Sequence, residues 1–325
     1  VAKINDAHPH DAAPEVTVLT SVYNGGDGLA ETLRSVLDQR DCSLEYVVVN
    51  DGSTDGSGQV LDHWAAREPR LRVIHQQNQG LTRSLIVGCA RARGGFIARQ
   101  DVGDASFPGR FQAQAAFLRS HPAVAFVGCG HELVGPKGEQ LSSVLADGEP
   151  ALGAPEPGDM PRLPSPHHGC VMFRRTAYVQ AGGYRPEFYF AQDADLWSRL
   201  IEQGDFASVP QVLYQVKFDL TSITARHREA QEKLRALVTQ ATALRAQGRS
   251  DAEVLRVAAG IRPTRGAAAA DERGRHVRAL AAYFVGSCLA QRNDSRARGY
   301  FLEALRHEPL NLKAWYKLLA VSFKT

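Results

Sequence analysis

The sequence predicts an α/β chain built on a doubly wound, mostly parallel sheet, with an all-helical extension at its C-terminal end. Three observations lead there. Short β-branched runs alternate with amphipathic stretches from Glu15 to about Asp101. Several of those runs end in small, polar or acidic residues, as in SVYNGG, VVVNDGS and ARQD. From about Ser222 onward, nearly every segment carries its apolar residues at helical spacing instead.

The elements follow in order. VTVLTSV precedes LAETLRSVLDQ, whose apolar positions recur every three or four residues, so the pair reads as strand then helix. LEYVVVN with SGQVLDHWAAR, and LRVIH with TRSLIVGCARA, repeat the unit, and GFIARQD adds a fourth strand. Strands that are apolar throughout belong to a parallel sheet covered on both faces. After Asp101 the chain offers a helix, PGRFQAQAAFLRS, a strand, AVAFVGC, and a hairpin around Gly135 to Gly138. Six prolines between residues 146 and 166 give that stretch the composition of a loop or lid. A strand (GCVMFRR), a turn (AGGYRPEF), a helix (DADLWSRLIEQG) and a strand (ASVPQVLYQV) come next. Within the helical extension, the stretch around Ala297, Tyr300, Phe301 and Ala304, ended by Pro309, resembles one tetratricopeptide-like helix pair.

Ligands of open parallel sheets bind at the carboxyl edge of the strands, so the residues ending each run carry the chemistry. Tyr23 can stack on a base or pack in the core. Asp51 can accept hydrogen bonds from ribose hydroxyls or a base imide, while Ser53 to Asp55 begins the next helix as a cap. Asp101 and Asp104 repel one another unless a cation lies between them, and a hard divalent ion bridging to phosphate oxygens meets that need; loop capping is the other reading. His167 and His168 can contact a ligand or bond within their loop. Trp197 reads as helix packing.

The order and spacing of VTVLTSVYNGG, VVVNDGSTDGS, QNQGLTRSL, ARQDVGDASFPGRFQAQ, HHGCVMFRR, GGYRPEF and AQDADLWSRL resemble glycosyltransferase family 2, over Val16 to Tyr214. The resemblance implies the GT-A fold. It also implies a nucleotide subsite of Ser21, Tyr23 and Asp51 with Arg83 nearby, and a D-x-D-D motif at Asp101 and Asp104 that holds magnesium or manganese. Asp193 is implied as the base of an inverting transfer, and His168 as a donor or acceptor contact. Gly103 departs from the motif, standing where many relatives have the aspartate that reaches the metal. On this reading residues 1–14 are a tail and 15–221 the catalytic domain, with a nucleotide-binding half to about 128 and an acceptor half after it. Residues 222–325 are the helical extension. The implied donor is a nucleotide sugar, UDP-hexoses first, and the implied acceptor a saccharide or lipid-linked saccharide of a bacterial surface polysaccharide.

Composition narrows the alternatives. Lys plus Arg total 38 against 35 for Asp plus Glu, a net charge of +3 without a basic stripe, so nucleic acid is not an expected partner. Five widely spaced cysteines without a C-x-x-C pair read as reduced thiols. No run approaches the roughly 18 apolar residues of a membrane span, which points to a cytoplasmic protein. Peripheral association with the inner membrane face and self-association through the helical tail stay open. YNGGDGLAE lacks the third glycine of a dinucleotide fingerprint, which removes a nicotinamide dehydrogenase. A sugar nucleotidyltransferase and a non-catalytic nucleotide- or saccharide-binding module remain as alternatives.

Overall fold

The computed structural model describes residues 3–4, 13–145, 164–218, 227–263 and 270–322. At its centre four strands run parallel in the order β4 (Leu71–Gln76), β3 (Leu44–Asp51), β2 (Val16–Val22) and β5 (Phe96–Arg99). All eight residues of β3 are buried, as a strand covered on both faces requires. The crossovers run through α1 (Gly28–Leu37), α2 (Ser57–Ala65) and α3 (Leu81–Cys89). The chain winds outward from β2 to β3 and β4, then returns to place β5 on the other side of β2. The strand order therefore reverses between β2 and β5, and a crevice opens there at the carboxyl ends of the strands.

Beyond β5 the sheet becomes antiparallel. The order continues through β9 (Met172–Arg174), β7 (Val124–Val134), β10 (Asp205–Lys217) and β6 (Ala105–Ser106), with β8 (Gln140–Val144) on β7. Strand β9 pairs antiparallel with both β5 and β7, and β6 with β10. The parallel part of the sheet is thus confined to four strands. Within the segment expected to be an N-terminal tail, β1 (Lys3–Ile4) pairs antiparallel with β4. Residues 146–163 of the expected proline-rich loop lie outside the described residues.

Two compact units divide the chain. The first comprises Val1–His131, Val144–Val216 and Glu229–Arg262, and it holds the crevice. The boundary expected at residue 222 lies outside the described residues, and the helices Arg228–Ala246 and Ala252–Ala259 group with this first unit. Leu234, Val238 and Ala258 are buried there with Phe188, Phe190 and Ala191. The second unit comprises Glu132–Ser143, Lys217–Arg228 and Pro263–Thr325. Its core joins Leu141 to Ala297, Tyr300, Phe301 and Ala304, the small and aromatic positions that suggested a helix pair. No helix among the described residues is long and apolar enough to cross a membrane.

Candidate active site

At the carboxyl ends of β2 and β3, two turns are tied to each other. The backbone N–H groups of Asn24, Gly25 and Gly26 donate to Ser53 Oγ at 3.0 Å, Ser57 Oγ at 2.9 Å and Asp55 Oδ2 at 3.0 Å. Asp55 Oδ1 also accepts from the Ser57 N–H and hydroxyl, so it bonds the first residue of α2 from one position before the Gly56 N-cap and holds the neighbouring turn as well. Ser21 lies half-buried in β2 opposite Val49. Tyr23, just beyond, is 53% exposed, which removes core packing as its role and leaves its ring available for stacking. Asp51 is buried, and its carboxylate accepts from Gln76 Nε2 at 2.7 Å, the Gln79 N–H at 2.9 Å and the Gly80 N–H at 2.8 Å. Those bonds order the loop leading into α3. Arg83 is exposed in the first turn of α3.

Across the crevice, β5 delivers Asp101 and Asp104 onto a scaffold of buried polar groups. Arg99 Nη2 donates to Asp101 Oδ1 at 2.5 Å. Tyr214 Oη accepts from the Asp101 N–H at 3.1 Å and donates to Asp104 Oδ2 at 2.9 Å. Arg110, fully buried, donates to the carbonyls of Arg99 and Gly169, each at 2.8 Å. Burial pushes the Asp101 carboxyl up, but Arg99 first, then the neighbouring histidines and Arg110, together outweigh it and hold the group below the usual carboxylate range. Gly103 sits at φ +93°, with its N–H on Thr32 Oγ1 at 2.9 Å. An added Cβ there would meet nothing within 4 Å, so conformation and not space favours glycine.

His167 completes this cluster. One ligand atom each from Asp101, Asp104 and His167 lie within 4.8 Å of one another. Its Nδ1 is buried without a hydrogen-bond partner among the described residues. Burial holds the imidazole below its ordinary pKa despite Asp101, which keeps it neutral and able to ligate. His168 does different work. Its Nε2 lies 2.8 Å from Tyr184 Oη and accepts from Arg99 Nε at 3.4 Å, bracing the arginine that holds Asp101. Burial, with Arg99 adding to it, pushes His168 down to about 3. Two carboxylates and one neutral imidazole, whose Nδ1 is without a partner among the described residues, fit a divalent cation with mixed oxygen and nitrogen ligands.

Helix α6 (Gln192–Leu200) carries Asp193 and Asp195 in its first turn. Burial raises the Asp193 carboxyl above the ordinary aspartate value; the Ala194 N–H and Arg235 oppose that rise, and Asp101 adds to it. Asp195 points inward. It is fully buried, with Arg185 Nε at 3.0 and 3.1 Å from its two oxygens and Arg199 Nη2 at 2.6 Å. Arg185 continues to Asp251 Oδ2 at 2.7 Å, which also accepts from Arg245 at 3.1 Å. Trp197 is buried and stacks on Phe126 with ring centroids 5.2 Å apart. Sequence reading named Asp101, Asp104 and Asp193 but not Arg99, Arg110 or Tyr214; it named His168 as a donor or acceptor contact, and it is His167 that the structure brings to Asp101 and Asp104.

A sequence profile described as Glycosyl transferase family 2 matches residues 17–180. The chain is similar to EpsE of Bacillus subtilis (strain 168), described as a glycosyltransferase, with 33% identity over 221 residues, 66% of this chain and 77% of the relative. It is also similar to the amylovoran biosynthesis glycosyltransferase AmsE of Erwinia amylovora, with 31% identity over 206 residues, 62% of this chain and 75% of that protein. Among solved structures it is similar to the mannosyltransferase PcManGT from Pyrobaculum calidifontis, in complex with GDP-Man and Mn2+, with a TM-score of 0.53 and 16% identity. That likeness covers 99% of this chain and 90% of the other, and it shows the GT-A fold.

Proposed function

The chain belongs to glycosyl transferase family 2, and from that premise we propose that it is an inverting hexosyltransferase. It takes a sugar from a nucleotide donor, UDP-hexoses first, and passes it to a saccharide or lipid-linked saccharide in bacterial surface polysaccharide assembly. The name of AmsE, with its amylovoran, and the GDP-Man and Mn2+ bound by PcManGT support that direction. The observation that supports it most is the cluster of Asp101, Asp104 and His167 just past the carboxyl end of β5, all within the residues matched to the family.

On this reading Ser21 and Asp51 hold the nucleoside, with Tyr23 as the surface on which its base stacks. Arg83, exposed at the start of α3, is available to the diphosphate. Asp101, Asp104 and His167 would hold a magnesium or manganese ion, which when bound supplies positive charge to the diphosphate oxygens. The acceptor hydroxyl gives its proton to the Asp193 carboxylate as its oxygen bonds to the anomeric carbon. The bond from that carbon to the diphosphate oxygen breaks, and its electron pair leaves with the nucleoside diphosphate. Attack from the face opposite the leaving group inverts the configuration. His168 acts through Arg99, keeping Asp101 ionised and in place.

Incubation with a panel of nucleotide sugars and oligosaccharide acceptors tests the proposal. A nucleoside diphosphate is the expected product, with a new glycosidic bond of the configuration opposite to the donor's by NMR. Pyrophosphate release would mark a nucleotidyltransferase instead, and binding without turnover a non-catalytic module.

A further inference from the structure

The last helix, Leu312–Ser322, is apolar on two sides. Ala314 and Leu318 are buried with Tyr300, Phe301 and Leu305 in the core of the second unit, and Val321 packs against that core. On the other side, Leu312, Trp315, Tyr316 and Leu319 are 80%, 46%, 71% and 54% exposed, and Leu310 just before them is 91% exposed. Their i, i+3, i+4, i+7 spacing sets the four helical side chains on one stripe roughly 100° wide. With its opposite side already buried, a helix that also exposes four large apolar side chains on one stripe presents a patch that calls for a cover. The Trp315 indole N–H is already satisfied by the Pro309 carbonyl at 2.9 Å.

Charge indicates what the cover is. From residue 309 to 325 the sequence carries Lys313, Lys317 and Lys324 and no acidic side chain. Lys313 and Lys317 flank one edge of the stripe, and neither forms an ion pair among the described residues. Lysine is depleted at the cores of protein interfaces, which favour arginine. Beside a stripe of Leu, Trp and Tyr, lysine is instead the composition of a helix lying in the plane of a bilayer, its ammonium groups reaching anionic headgroups. We propose that the Leu312–Trp315–Tyr316–Leu319 face docks on a lipid bilayer bearing anionic headgroups, with Lys313 and Lys317 on the headgroup phosphates. This inference does not depend on the transfer reaction.

The test uses the full chain with vesicles of phosphatidylglycerol and phosphatidylcholine, against vesicles of phosphatidylcholine alone. Co-sedimentation is expected with the anionic vesicles, weakening with salt, together with a blue shift in tryptophan emission that Trp315→Phe removes. Leu312→Glu with Leu319→Glu alters exposed positions only, so the circular dichroism should be unchanged while vesicle affinity falls by about tenfold or more. Lys313→Gln and Lys317→Gln should each weaken binding about fivefold. Absence of vesicle binding, or binding that the double glutamate variant retains, would overturn the proposal. So would self-association in sedimentation that the same variant abolishes, because a second copy of the chain would then be the cover.

Discussion

Asp193 and Asp195 stand two positions apart on α6 and meet opposite surroundings. Asp195 is buried between Arg185 and Arg199, and its removal would leave two guanidinium groups without their counter-charge. Asp195→Ala should therefore cost about 3–5 kcal/mol, measurable by urea unfolding. For Asp193, burial lifts the carboxyl above the ordinary value of 3.8. A group raised in this way is harder to ionise in the folded chain than in the unfolded one. Its ionised form therefore lowers stability at neutral pH, and the loss is relieved as pH falls through the folded pKa. As a base it must be ionised, so the acid limb of kcat/KM should lie above the ordinary aspartate range. Arg235→Gln, which removes the opposing cation, should move that limb further up; a limb that stays in place would separate Arg235 from the base. The catalytic candidates were legible because each carboxylate ends a run of strand or opens a helix. Tyr214 was not, since its bond to Asp104 spans 110 positions and no local pattern encodes it.

The alternating strands and helices up to Asp101 were legible as elements because each is long enough to show its period. In the antiparallel half β7, the hairpin to β8, β9 and β10 were legible as strands, but β6, with two residues, is too short to show a period, and the antiparallel pairing itself follows contacts distant in sequence. The apolar stripe of Arg228–Ala246 revealed that the helix packs but not on what; its partners Phe188 and Phe190 lie in the turn before α6. The loop from β5 to β6 matters most for the cation. Asp101 is already engaged by Arg99 and Asp104 by Tyr214, and Gly103 adds no third carboxylate. The free protein should then bind Mn2+ weakly, and the diphosphate of UDP should complete the shell. Calorimetric titration is expected to show Mn2+ affinity rising by about tenfold or more with UDP present, within the usual range of coupling between sites. His167→Ala should reduce that gain. Full transfer in excess EDTA would move the charge-stabilising role to Arg83 and the backbone amides.

For the molecule as a whole, the family match ends at residue 180, while Asp193 and the ion pairs through Arg185, Asp251 and Arg245 lie beyond it. The first unit accordingly extends to Arg262, so helices that the sequence assigned to an extension pack against Phe188, Phe190 and Ala191, just before Asp193. Composition and spacing were enough to predict the α/β class and the helical end of the chain. They were not enough to divide the chain into its two compact units, because that division follows contacts and not sequence order. The central claim is transfer from a nucleotide sugar with Asp193 as base, and turnover by Asp193→Asn beside the unaltered chain tests it most directly. Nucleoside diphosphate release should fall by about 10² to 10⁴ in the variant while calorimetry finds its UDP affinity unchanged. Transfer at the rate of the unaltered chain would contradict the account.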